Sequence, residues 1–206
     1  MKNNTGKSLI GFFASLLLVL FSLPASAVVL SLQPSVQNAV PADNISLDLV
    51  ISGLNVGSAD SLGDFDININ FDSAALSFLG YKLGSSLGNI AFFDAADYSS
   101  GDLGGGLVNI SEVSFLSTVN LDALQSSSFT LATFDFRVDT LTAGSSTTVF
   151  LDKVKALGDG FGKALTLDSY TNATITNSSV SVPESSTFVL LIMGLLSFGA
   201  TRRRSR

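Results

Sequence analysis

The sequence predicts an all-β domain, an antiparallel sandwich of nine or ten short strands, and three observations lead there. Apolar and polar residues alternate strictly in several stretches, with the period of two that a half-buried strand imposes. Clusters of Gly, Ser, Asn and Asp at 53–63, 99–106 and 158–162 supply turns between those stretches. No helical stripe of useful length is visible apart from residues 121–126. Residues 28–178 are long enough to close one sandwich around one core.

The strands follow in chain order. Residues 28–32 open the domain as an apolar segment, and 44–52 place Ile45, Leu47, Leu49 and Ile51 on one face. In 64–72 Phe65, Ile67, Ile69 and Phe71 alternate with Asp64, Asp66, Asn68, Asn70 and Asp72, a pattern that fits a sheet and cannot form a helical stripe. Shorter or less regular strands are expected at 76–82, 90–93, 107–113, 147–151, 165–167 and 173–180. The stretch 129–138 carries Ala132, Phe134, Phe136 and Val138 in phase, but Phe129 and Leu131 on the opposite phase, which predicts a bulge or burial on both sides.

Both ends of the chain read as targeting segments. Lys2 and Lys7 precede an apolar run, and Ala25, Ser26 and Ala27 put small residues where a signal peptidase reads, so residues 1–27 are expected to be cleaved between Ala27 and Val28. At the other end 179–206 comprises a short motif at 182–186 containing Val182, Pro183 and Glu184, an apolar span at 187–201, and a basic tail at 202–206. Arg202, Arg203 and Arg204 form a membrane stop that stays cytoplasmic under the positive-inside rule, leaving the domain outside. The span covers about 22 Å of helix against a hydrocarbon core of about 30 Å, short for a permanent anchor and better suited to a removable one.

Charge excludes some function classes. Residues 28–181 hold 16 Asp and Glu against 5 Lys and Arg, a net charge of −11. Such a domain lacks the cations that phosphate neutralisation requires, so nucleic acid is not a partner, and an anionic lipid surface repels it. The chain has no Cys, so no disulfide supports the fold and the core must do so alone.

Catalytic equipment is missing. Gly84-Ser85-Ser86-Leu87-Gly88 matches a nucleophile-elbow spacing, but the chain has no His to activate Ser86 and no helical pattern follows, so the segment reads as a loop. Gly158, Gly160 and Gly162 lack the Lys and the strand-to-helix context of a phosphate cradle and read as a hairpin connection. Carboxylate pairs such as Glu112 and Asp135 are of the type a glycosidase uses, but among 16 acids some proximity arises by chance, and they read as solvated strand residues. No catalytic residue, cofactor site or enzymatic activity is expected. For metal, the candidates are Asp94, Asp97 and Asp102, hard oxygen donors that suit Ca²⁺ rather than a transition metal but lack EF-hand spacing.

Two resemblances sharpen this reading. The N-terminal strand, the acidic alternation from Gly63 to Asp72 followed by Leu76 and Phe78, and the later Leu131 to Val138 with Gly144 beyond it resemble cohesin modules. That resemblance implies a nine-stranded jelly roll, related to one class of carbohydrate-binding module, and a non-catalytic function in which one sandwich face binds a partner, a dockerin in the case of cohesins. The tail is similar to the PEP-CTERM sorting signal of Gram-negative bacteria, with Pro183 and Glu184 matching and Ser185 in place of the second proline. It implies processing by an exosortase-type protease, transit through the inner membrane and periplasm, and delivery to the cell surface or extracellular matrix. The ligand is then a protein or an exopolysaccharide. The alternatives are an acidic structural coat component with no specific ligand and a permanently membrane-anchored periplasmic protein. With no Trp, and only Tyr81, Tyr98 and Tyr170 as tyrosines, a flat sugar-stacking platform is the weaker of the two ligand readings.

Overall fold

A computed structural model describes residues 28–55 and 61–178. The signal segment through Ala27 and the sorting segment with Val182, Pro183, Glu184, Arg202, Arg203 and Arg204 lie outside the described residues. Twelve strands are described: β1 (Val28–Gln33), β2 (Val36–Asn38), β3 (Asn44–Ser52), β4 (Leu62–Asn70), β5 (Leu76–Leu83), β6 (Ala95–Asp97), β7 (Gly101–Gly104), β8 (Leu107–Ser114), β9 (Ser128–Val138), β10 (Ser146–Asp159), β11 (Leu167–Thr171) and β12 (Ala173–Thr176). They form two sheets. One has the order β11-β1-β3-β9-β5, the other β2-β12-β10-β4-β8-β6 with β7 also paired to β8. Twelve strands are described where nine or ten were expected, and the unforeseen ones are β2, β6 and β7, of three or four residues each, which are too short to carry an alternation.

The sandwich closes because each sheet turns one apolar face inward. On β3 the buried residues are Ile45, Leu47, Leu49 and Ile51; on β4 they include Phe65, Ile67 and Ile69; on β9 they include Phe134, Phe136 and Val138. The rings of Phe71, Phe78 and Phe136 meet at tilted and edge-on angles, with Phe71 and Phe136 centroids 5.1 Å apart. Among the described residues one apolar core runs from Val28 on β1 to Ile175 on β12. First and last strands are stitched together by parallel pairing, β1 to β11 and β2 to β12, which ties both ends of the described segment into the sheets.

The phase change in β9 is a bulge. Leu49 pairs with Ala132 and Val50 with Thr130, which leaves Leu131 as the extra residue, and both Leu131 and Ala132 are buried. Residues 90–93 differ from the strand expected there. Ile90–Phe92 is a 3-10 turn, started by the Asn89 side chain accepting from the Ala91 amide at 2.9 Å, and it leaves its aromatic residues in solvent. The short helix α1 is Thr118–Leu124, a few residues earlier than expected, and the Ser117 hydroxyl caps it by accepting from the Asn120 amide. Among the described residues no helix is long and apolar enough to cross a membrane, and the expected span at 187–201 lies outside them.

Candidate functional site

The outer face of the longer sheet is the most organised polar surface of the domain. In antiparallel pairing, residues directly opposite share a face, so the register defines four rungs across β10, β4 and β8. They are Phe150, Asn70 and Leu107; Lys153, Asn68 and Asn109; Ala156, Asp66 and Ser111; and Gly158, Asp64 and Val113. Gly101 of β7 extends the second rung and Ala96 of β6 the fourth. The polar half of the β4 alternation thus becomes a ladder of carboxylates, amides and a hydroxyl.

Asn109 holds the middle of that ladder. Its Nδ2 donates to Asp66 Oδ1 at 2.6 Å and to Asn68 Oδ1 at 3.0 Å, while its Oδ1 accepts from the Ser100 amide at 3.1 Å. Asn109 is only 3 % exposed and Asn68 7 %, although both stand on the side away from the core. Lys155 reaches Asp66 at 3.4 Å from a register shift in β10. At the end of the ladder the Asp64 carboxylate lies over Gly158, where a Cβ would come within 2.1 Å of its Oδ1. Burial, and secondarily the charge of Asp159, pushes the Asp64 carboxyl above its usual range. The result is a shallow hydrogen-bonding face, ordered by its own side-chain bonds. Replacing Asn109 by Ala leaves Asn68 Oδ1 and the Ser100 amide without these partners. Stability should drop by about 2 kcal/mol in urea unfolding, the cost of orphaning buried polar groups; a loss under about 0.5 kcal/mol would mean that water replaces the amide freely.

A second cluster sits at the β6 edge. Glu112 faces inward, across from Phe65 on β4 and Asp97 on β6, and is 1 % exposed. Its Oε1 has no hydrogen-bond partner. Burial first, and the nearby Asp97 charge second, push its carboxyl up to about 7. Asp97 is exposed and accepts from the Tyr81 hydroxyl at 2.9 Å, a bond that ties β5 of one sheet to β6 of the other.

The expected site residues fall as follows. Asp94 precedes β6, Asp97 lies on β6 and Asp102 on β7, and among the described residues no group of three or more acidic side chains is placed to hold a metal ion. Asp97 Oδ1 and Asp102 Oδ1 each accept from an amide two residues on, at 2.8 Å, the local bonding that acidic turn residues prefer. Glu112 and Asp135 are not a pair. Glu112 is on the core side of the longer sheet, while Asp135 is exposed on the five-stranded sheet and accepts from Ser46 Oγ at 2.5 Å. The segment around Ser86 is a loop, anchored by buried Leu87 and by Gln125 Nε2 donating to the Ser86 carbonyl at 3.1 Å. Gly158 to Gly162 closes a hairpin in which Asp159 Oδ1 accepts from the Phe161 and Lys163 amides. Tyr98 and Tyr170 are both exposed but belong to the edges of different sheets, so they build no joint aromatic platform.

Solved structures with this architecture are cohesin domains. The cohesin of a type I cohesin–dockerin complex from Clostridium thermocellum superposes with a TM-score of 0.59 at 12% identity, over 73% of this chain and 99% of that one. The fold is cohesin-like. The seventh ScaB type I cohesin from Pseudobacteroides cellulosolvens gives 0.57 at 16% identity, over 77% and 96% of the two chains. A type II cohesin domain from the cellulosome of Acetivibrio cellulolyticus gives 0.57 at 15%, over 74% and 95%. No protein-family model matches the chain, and no curated protein is similar to it in sequence. The cohesin-like domain therefore has its neighbours in architecture at identities where only the fold is shared.

Proposed function

We propose that this protein is an exported, non-catalytic binding module that recognises a partner protein through the outer face of its longer sheet. The observation that carries the reading is the Asp66–Asn68–Asn109 ladder, ordered by its own hydrogen bonds before any partner arrives, so that little side-chain entropy is lost on docking. Cohesins crystallised with dockerins make a compact, dockerin-like protein the first partner to test. The absence of Trp and the separation of Tyr98 from Tyr170 weigh against an exopolysaccharide ligand. Delivery follows from the ends of the chain. A signal peptide exports it, the membrane span holds it in transit, and an exosortase-type protease acting near Pro183 and Glu184 releases it to the cell surface or matrix of a Gram-negative bacterium.

One experiment tests the binding face. The exported protein, immobilised, should retain a protein from the cell's secreted fraction, and Ser111→Arg with Lys153→Glu should abolish that retention while leaving the circular dichroism spectrum intact. Retention unchanged by both substitutions would move the contact to another surface. Mass spectrometry of the mature termini tests delivery, with Val28 as the expected first residue and a C-terminus near Glu184.

A further inference from the structure

Outside the polar ladder, one end of the sandwich is unusually apolar. The loop 84–94 joins β5 to β6 there and carries Phe92 and Phe93, 76 % and 84 % exposed. Beside it, after β8, lie exposed Phe115, then Val119 and Leu124 on α1. The two segments are bound together. The Phe115 amide donates to the Asp94 carbonyl at 2.7 Å, and Ser114 Oγ donates to the Leu87 carbonyl at 2.5 Å. Between them is a cleft of about 390 Å³, walled by the Gly88-Asn89 and Asp94 side and by Leu116, Asn120 and Leu124. Of those last three, Leu116 precedes the Ser117 cap, while Asn120 and Leu124 stand four residues apart on one side of α1. Phe93 is held at φ 62°, the left-handed region a bulky residue rarely enters, and its amide donates to the Ile90 carbonyl. The backbone thus accepts strain while keeping an aromatic ring in solvent.

Charge selects the occupant. From Leu83 to Phe136 the chain has no Lys or Arg, while Asp94, Asp97, Asp102, Glu112, Asp122 and Asp135 fall in that stretch. Asp94 lines the cleft itself. Lys82 and Arg137 bound this stretch in sequence, and none of the exposed apolar residues of the cleft region stands next to a cation in sequence. We infer that the cleft between loop 84–94 and α1 is a docking site for a cationic amphipathic helix of a partner protein, whose apolar side chains enter beside Leu116 and Leu124 and whose Lys or Arg residues face Asp94. An anionic lipid surface meets the wrong sign of charge here, and an anionic helix would be repelled. This site is separate from the ladder. Asp66 to Ser111 pairing places the ladder on the sheet face, and the cleft sits where β5, β8 and α1 end.

The test uses the full chain in zwitterionic lipid nanodiscs, with empty discs as reference. The probe is a labelled Leu/Lys amphipathic helix of about 18 residues, long enough to form on docking, alongside a Leu/Glu helix of the same pattern. A photoreactive residue at position 93 should crosslink to the Leu/Lys probe, and one at position 46, on the outer face of the other sheet, should not. The double substitution Phe92→Ser with Phe93→Ser, which removes the exposed rings on the loop that walls the cleft, should weaken binding about tenfold. Raising salt from about 0.05 M to about 0.5 M should weaken it as well. Equal affinity for the Leu/Glu helix, or no loss in the double variant, overturns the inference. So does crosslinking from position 93 to lipid or to the chain's own residues 187–206 in place of the probe. The double variant leaves Ser111 and Lys153 untouched, so failure here is distinct from failure of the ladder.

Discussion

Phe136→Ala should cost about 4 kcal/mol of folding stability, the size of loss seen when a buried aromatic is truncated and the space does not collapse. Phe136 lies on β9, between Ile45 of β3 and Phe78 of β5, and is fully buried. Its ring contacts Phe71 from the connection after β4 and Phe78 from β5, with centroids 5.1 Å and 5.6 Å away, so truncation removes contacts to both sheets at once. No cysteine is present to staple the domain, and the total stability of a domain this size is about 5–15 kcal/mol. The variant should therefore show a much lower urea midpoint with an unchanged slope. Phe136→Leu, which keeps most of the volume, should lose about 1.5 kcal/mol or less. Equal losses for Leu and Ala would show that ring geometry, not volume, holds the core. A loss under about 1 kcal/mol for Ala would show that the three-ring cluster does not bridge the sheets energetically.

How far the fold was legible depends on where alternation survives. β3 begins at Asn44 and ends at Ser52, the bounds its pattern sets, because every second side chain meets the core and no bulge interrupts it. In β9 the broken phase at Leu131 was itself the signal of a bulge. β10 was legible only in its first third. Register shifts after Leu151 and Val154 carry the strand on to Asp159 while scrambling the period, so Asp152 to Lys155 reads as a polar stop. The apolar run at 90–93 misleads for a different reason. Asn89 bonds the following backbone locally and turns the chain before a strand can form. Of the site, the outward polar residues of β4 were visible in the sequence. Their bonding to Asn109 was not, because cross-strand register is a long-range property of the folded sheet. Glu112 carried a signal that was available: Val108, Ile110 and Glu112 share one phase, which puts the carboxyl on the apolar side of β8.

That placement makes stability pH-dependent in an unusual direction. The Glu112 carboxyl titrates near 7 in the folded protein against an ordinary value of 4.5, because burial, reinforced by Asp97 across the β6 pair, disfavours its charge. Tyr81, the polar group reaching this edge from β5, directs its hydroxyl to Asp97 and not to Glu112. Below about 4.5 the folded and unfolded chains both hold the proton, and Glu112 adds no dependence on pH. Between there and about 7 the unfolded chain ionises while the folded one keeps its proton, so the folded state binds more protons and stability falls as pH rises. Above about 7 both are ionised, and the full cost, about 3 kcal/mol at 1.36 kcal/mol per pKa unit, is present. Glu112→Gln removes this titration and keeps the shape. Urea unfolding of both proteins at pH 4.5, 6 and 8 should show the variant gaining on the wild type by about 3 kcal/mol across that range, whatever constant offset its amide brings at acid pH. Asp64, whose carboxyl is also raised, is common to both proteins and drops out of the difference. A difference independent of pH, or one that shrinks toward pH 8, would mean that the Glu112 carboxylate finds a cationic or solvent partner on folding, and the interior edge of β8 would then be wet rather than dry.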